Sequence, residues 1–159
     1  MSALDDAIRD DLLVLFDGFE PSSATADPTD ERDLISAWTE ISSRSWTGTV
    51  GVCGSKSSLI ATAPLRGIDP LDWAGELANL AAGRLKYGLQ VRTRVLATQG
   101  VPSVARGSRL PRRASARVMT LRGPAGTLRV WVDLVDRPGS HGAVARDPGL
   151  GPGASRFFD

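Results

Sequence analysis

At 159 residues with 42% hydrophobic content, the chain fits one compact domain with a real core and leaves no room for a second. The net charge of +1 conceals a lopsided layout, because residues 1–40 hold eleven acids and two arginines while the remainder is basic. A single cysteine excludes an internal disulfide, no apolar run approaches a bilayer span, and Asp5 and Asp6 stand where a basic leader would be, so a soluble cytoplasmic protein is expected.

From residue 3 to 16, Leu4, Ile8, Leu12, Leu15 and Phe16 recur at helical spacing, with Ser2 as a cap and Gly18 as a stop. This predicts an amphipathic helix. Residues 20–33 are rich in Pro, Ser, Thr and Asp without periodicity and read as a loop. Three short runs follow, 34–41, 46–53 and 58–63, enriched in β-branched and aromatic residues and separated by small polar turns. They predict a β-meander. Gly48, Gly51 and Gly54 are spaced at three but meet neither the dinucleotide nor the Walker pattern, so no phosphate-binding loop is expected there.

The strongest helical segment starts after Asp69-Pro70, a cap followed by a proline suited to the first turn, and runs to about Leu89, with Gly88 marking its end. Beyond it, residues 91–97, 114–121 and 127–135 read as strands, the last two joined by a hairpin at Gly123-Pro124-Ala125-Gly126. Between the first two lies a long basic loop, 98–113, and residues 106–117 gather Arg106, Arg109, Arg112, Arg113 and Arg117. That cluster suits an acidic protein, the chain's own acidic N-terminal half, phosphates, or plain solvation. Nucleic-acid binding is disfavoured, since aromatic interleaving and a recognised motif are lacking. From Asp136 onward Gly and Pro dominate, which gives a domain over 1–135 and a flexible tail over 136–159.

On the central helix, Asp72, Glu76, Asn79 and Gly83 fall on one face, while Ala74, Leu77, Leu80, Ala81 and Leu85 are assigned to the opposite, buried side. A merely solvated face would carry long, complementary charges. Asn and Gly are poor helix formers, so placing both on that face gives up local stability and suggests a surface that something approaches closely. His141, the lone histidine, has no ligand or nucleophile pattern around it, so neither a metal site nor a serine-histidine system is expected. The four tryptophans, Trp38, Trp46, Trp73 and Trp131, suit core or interface anchors.

The text Asp72-x-x-x-Glu76-x-x-Asn79, continuing Leu80-Ala81-Ala82-Gly83-Arg84-Leu85, resembles the signature helix of the CheC/CheX/FliY phosphatases. Residues 46–52 and 58–60 are similar to the strands before that helix, and residues 91–98 with Gly100 and Val101 to the strand and turn after it. The resemblance implies an α+β, CheC-like fold: a mostly antiparallel sheet of about six strands, with an N-terminal helix and the long signature helix packed on it.

It further implies a phosphatase acting on the aspartyl phosphate of a CheY-type receiver. Asn79 would orient the attacking water and Glu76 would pair with the receiver's active-site lysine, with Asp72, Gly83 and Lys86 supporting receiver contact. No metal or cofactor of its own is implied, since the Mg2+ belongs to the receiver. The alternative is a non-catalytic adaptor of the same fold that binds a receiver or another signalling partner.

The N-terminal helix has no Glu-x-x-Asn, so one active helix per chain is expected, as in CheX, together with a possible homodimer. Residues 64–68 replace a further helix that the family usually places before the signature helix. The surface so exposed would be covered by a partner subunit or by the 98–113 loop.

Overall fold

The computed structural model describes residues 2–23 and 31–139. Residues 24–30 of the 20–33 loop, most of the 136–159 tail and His141 lie outside these described residues.

The N-terminal segment is helical over its expected length, but its winding changes along the way. An α-helical turn, α1 (Ala3–Ala7), passes into a π-helical turn over Ile8–Leu12 and a 3-10 turn over Leu13–Phe16. Ser2 caps it in a reciprocal box with Asp5, and Gly18, with φ of 84°, ends it. Ile8, Leu12 and Phe16 are buried. Asp10 is held below the usual carboxylate range, mainly by a hydrogen bond from Arg9 and further by Arg92.

The strands are β1 (Glu20–Pro21), β2 (Leu34–Ser43), β3 (Trp46–Ser55), β4 (Ala97–Gln99), β5 (Ser103–Arg106), β6 (Arg117–Gly123) and β7 (Gly126–Asp136). They form one seven-stranded antiparallel sheet in the order β1-β6-β7-β3-β2-β4, with β5 also on β2. The predicted hairpin joins β6 to β7, turning on Pro124 and Ala125 with Gly126 at φ of 125°. Alternate residues of the central strands, Ile35, Ala37 and Ile41, Val50 and Val52, and Leu128, Val130 and Val132, line the main core.

Against that face packs α3 (Pro70–Thr93), a 24-residue helix whose N-cap Asp69 accepts from the backbone N–H groups of Leu71 and Asp72. Trp73, Ala74, Leu77, Ala78, Ala81, Ala82, Leu85 and Leu89 are its buried positions in the core. The helix runs past Gly88, which is itself buried. Arg94, in the left-handed region at φ of 56°, forms the C-cap. Residues 91–93 therefore belong to the helix, and the strand expected at 91–97 begins only at Ala97.

Residues 58–63 are a further correction. They belong to a short helix, α2 (Lys56–Ile60), and the turn after it, because the Ser55 side chain caps the first turn by accepting from the N–H of Ser58. Thr62, whose hydroxyl donates to the Leu59 carbonyl at 2.6 Å, also accepts from the Trp73 indole at 2.8 Å and so ties this turn to α3.

The basic segment is not one loop. Its first part supplies β4 and β5 on the free edge of β2. The part beyond Gly107 crosses the sheet face away from α3, where the buried Ser36 donates to the Gly107 carbonyl at 2.7 Å and accepts from the Arg109 N–H at 3.0 Å. Of the cluster, Arg117 pairs with Asp5 of the acidic N-terminal helix and Arg113 lies 4.0 Å from Asp133. The intramolecular reading thus holds for Arg117.

Candidate functional site

Glu76 stands exposed on the outward side of α3, and among the described residues its carboxylate has no ion-pair partner. Asp72, one turn earlier, is also exposed, whereas Asn79, Gly83 and Lys86 are half-buried. All five lie on helical backbone, and the motif's carboxylate and carboxamide sit about 60° apart around the axis.

The stripe is less open than its sequence suggests, because the edge strands run along it. Val104 of β5 packs at Gly75, where a Cβ would lie 3.1 Å from its methyl group. Gln99 of β4 reaches Asn79: its Nε2 donates to the Asn79 carbonyl at 2.9 Å and to Asn79 Oδ1 at 2.6 Å. Farther along, Gln90 donates to the Ala97 carbonyl at 3.4 Å. Asn79 therefore sits on a rim between helix and sheet edge, with Glu76 on the solvent side of it.

Leu80 corrects the sequence assignment. It is 39% exposed rather than core, since one helical step from Asn79 carries it to about 40° from Glu76. With Tyr87, 66% exposed, and Val91, 59% exposed, it forms an apolar line beside the polar stripe. Counting around the helix would have revealed Leu80 and Tyr87. Gln99 carries no such signal, because only the folded sheet brings it to Asn79.

Gly83 has open space: a Cβ there would meet only Gln99 Oε1, at 3.5 Å. No cluster of three or more His, Cys, Asp or Glu among the described residues is placed to hold a metal ion. No described helix is long and apolar enough to cross a membrane.

A long helix laid on a wide antiparallel sheet is the fold this chain shares with CheC-like and CheX chemotaxis proteins of known structure. Three solved structures illustrate the likeness. A CheC-like superfamily protein from Shewanella sp. PV-4 superposes with a TM-score of 0.64 at 15% identity, covering 84% of this chain and 97% of that one. The chemotaxis protein CheX from Vibrio vulnificus gives 0.60 at 14% identity, covering 85% and 97%. CheX from Borrelia burgdorferi, in a CheX-CheY-BeF3-Mg2+ complex, gives 0.53 at 13% identity, covering 83% and 92%. No family model and no curated protein sequence matches the chain.

Proposed function

We propose that the chain is a phosphatase for the aspartyl phosphate of a CheY-type receiver domain. The observation that carries this reading is the pairing of an exposed Glu76 carboxylate with the Asn79 carboxamide on the rim of one rigid helix. Support comes from the fold, which is shared with a CheX structure in complex with CheY.

In this reading α3 lies across the receiver's active site. Glu76 pairs with the receiver's lysine and sets the register, with Asp72 and Lys86 at the margin of the contact. Leu80 and Tyr87 supply apolar area beside it. Asn79 then projects towards the phosphoryl group and holds a water in line with the scissile P–O bond. The water oxygen attacks phosphorus, the acyl-phosphate P–O bond breaks, the receiver aspartate leaves as a carboxylate, and the water's protons pass to phosphate and solvent.

Phosphoryl transfer through a loose transition state asks for positioning and charge stabilisation more than for proton abstraction, so a neutral amide suffices. The magnesium ion belongs to the receiver, where it neutralises charge on the phosphoryl oxygens.

The direct test is phosphate release from a phosphorylated receiver with Mg2+. Wild-type protein is expected to accelerate it. Asn79→Ala should lower the accelerated rate by about a hundredfold, the scale for loss of one positioned polar group, with an unchanged denaturation midpoint. Equal decay with and without wild-type protein, on every receiver of the source organism, would replace the enzyme with the non-catalytic adaptor.

A further inference from the structure

Asn79 is the only asparagine in the chain, and Gln90 and Gln99 are the only glutamines. Two of these three amides meet at the rim. A carboxamide is nearly symmetric in shape but not in chemistry, since rotation by 180° exchanges its acceptor for its donors. A side chain that must present one particular end to a water therefore gains from being held, and here one backbone atom settles the orientation of both amides. The Asn79 carbonyl can only accept, so Gln99 must turn its Nε2 to it, at 2.9 Å. That same Nε2 lies 2.6 Å from the Asn79 side chain, which must therefore present Oδ1. The Asn79 Nδ2, with its two hydrogens, is left directed away from Gln99.

The surroundings are built for this contact. Gln99 Oε1 passes 3.5 Å from where a Cβ of Gly83, one turn on, would be, an ordinary contact distance. The strand carrying Gln99 is interrupted directly after it. Ile41 pairs with Gln99 and Trp38 with Ser103, so two residues of β2, Thr39 and Glu40, stand opposite three, Gly100, Val101 and Pro102. This is a β-bulge. Gln99 and Val104 are an odd number of positions apart and would face opposite sides of a regular strand. Across the bulge both face α3, Val104 at Gly75 and Gln99 at Asn79.

We infer that Gln99 is a positioning residue that locks the Asn79 carboxamide with its oxygen inward and its NH2 outward, so that Asn79 meets the attacking water as a hydrogen-bond donor. This deepens the phosphatase reading and rests on it. A donor is compatible with in-line attack: one lone pair of the water accepts from Asn79 while another faces phosphorus.

The test has two arms. Uniform 15N labelling gives side-chain carboxamide NH2 signals from Asn79, Gln90 and Gln99 alone, and Asn79→Asp assigns the one that matters. In wild-type protein the Asn79 NH2 is expected to be as rigid as the helix backbone in relaxation measurements. Gln99→Ala should free it, and isosteric Gln99→Glu should hold it flipped, because a carboxylate accepts from Nδ2 and cannot donate to Oδ1.

On a phosphorylated receiver, Gln99→Ala is expected to lower kcat by about tenfold, within the scale for misplaced catalytic groups, and Gln99→Glu by more. Affinity for a receiver loaded with BeF3 and Mg2+, a stand-in for the aspartyl phosphate, should stay within about twofold. An Asn79 signal equally rigid without Gln99, or an unchanged kcat, would overturn the assignment. If wild-type protein is inert on every receiver, the phosphatase reading and the donor role fall together, while the relaxation arm still decides the amide orientation.

Discussion

Glycines in β3 and α3 both give up local stability, yet they do so for different ends. Gly48, Gly51 and Gly54 lie in β3 beside β7, where a Cβ would collide with the Asp133 carbonyl, the Trp131 indole and the Leu128 side chain respectively. Their emptiness is filled from within, and Trp131, buried to 2% exposure, occupies the space over Gly51. On α3 the position of Gly83 is left open, with a single side-chain tip at ordinary contact distance. The β3 glycines serve the fold, whereas Gly83 leaves room on an outward surface; the other two glycines of α3, Gly75 and Gly88, face Val104 and Asp11.

The largest effect that would break this comparison lies in β3. Gly51→Ala drives a methyl into the Trp131 ring and is expected to lower unfolding free energy by about 1–3 kcal/mol, as overpacking does. A denaturation curve superposable on wild type would show that the glycine run is not set by packing.

At Glu76, the outward rim predicts a separation of stability from binding. Glu76→Lys should move stability by no more than about 0.5 kcal/mol, as at other surface sites. It should weaken the BeF3-loaded receiver by about tenfold or more, because a like charge then faces the receiver's lysine. Unchanged affinity by calorimetry would remove Glu76 from the interface.

The smallest expected effect sharpens the contrast most, since its sign is opposite to that in β3. Gly83→Ala fits without collision and should raise stability by up to about 1 kcal/mol through helix propensity, while reducing receiver binding as the added methyl meets the partner. A stabilised variant that binds equally well would mean that the partner does not approach at Gly83.

Much of the scaffold was legible because local chemistry and the final fold agree. Ser2 and Asp69 cap where expected, Pro70 opens α3, and the Pro124-Ala125 hairpin joins β6 to β7. Legibility failed where tertiary contacts decided. Residues 58–63 carry strand-like side chains, but Ser55 caps a helical turn and Thr62 anchors it to Trp73. Arg94 ends α3 in a left-handed conformation that a glycine would have announced, so the helix outran Gly88.

Within the site, period alone placed Glu76, Asn79 and Gly83 together on helical backbone. It misplaced Leu80, whose exposure follows from the same arithmetic. The edge strands could not be read at all, because a bulge erases the alternation that betrays a strand, and Gln99 meets Asn79 only through the folded sheet.

The interruption at Gly100-Val101-Pro102 also governs how the sheet meets other molecules. An unbroken border of free N–H and C=O groups invites a foreign chain to zip on. Here the β4–β5 border is bent by its extra residue and lacks a donor at Pro102, and the opposite border, β1, is only Glu20–Pro21 and ends in another proline. Both margins thereby offer a foreign chain less continuous edge to pair with than an unbroken long strand would.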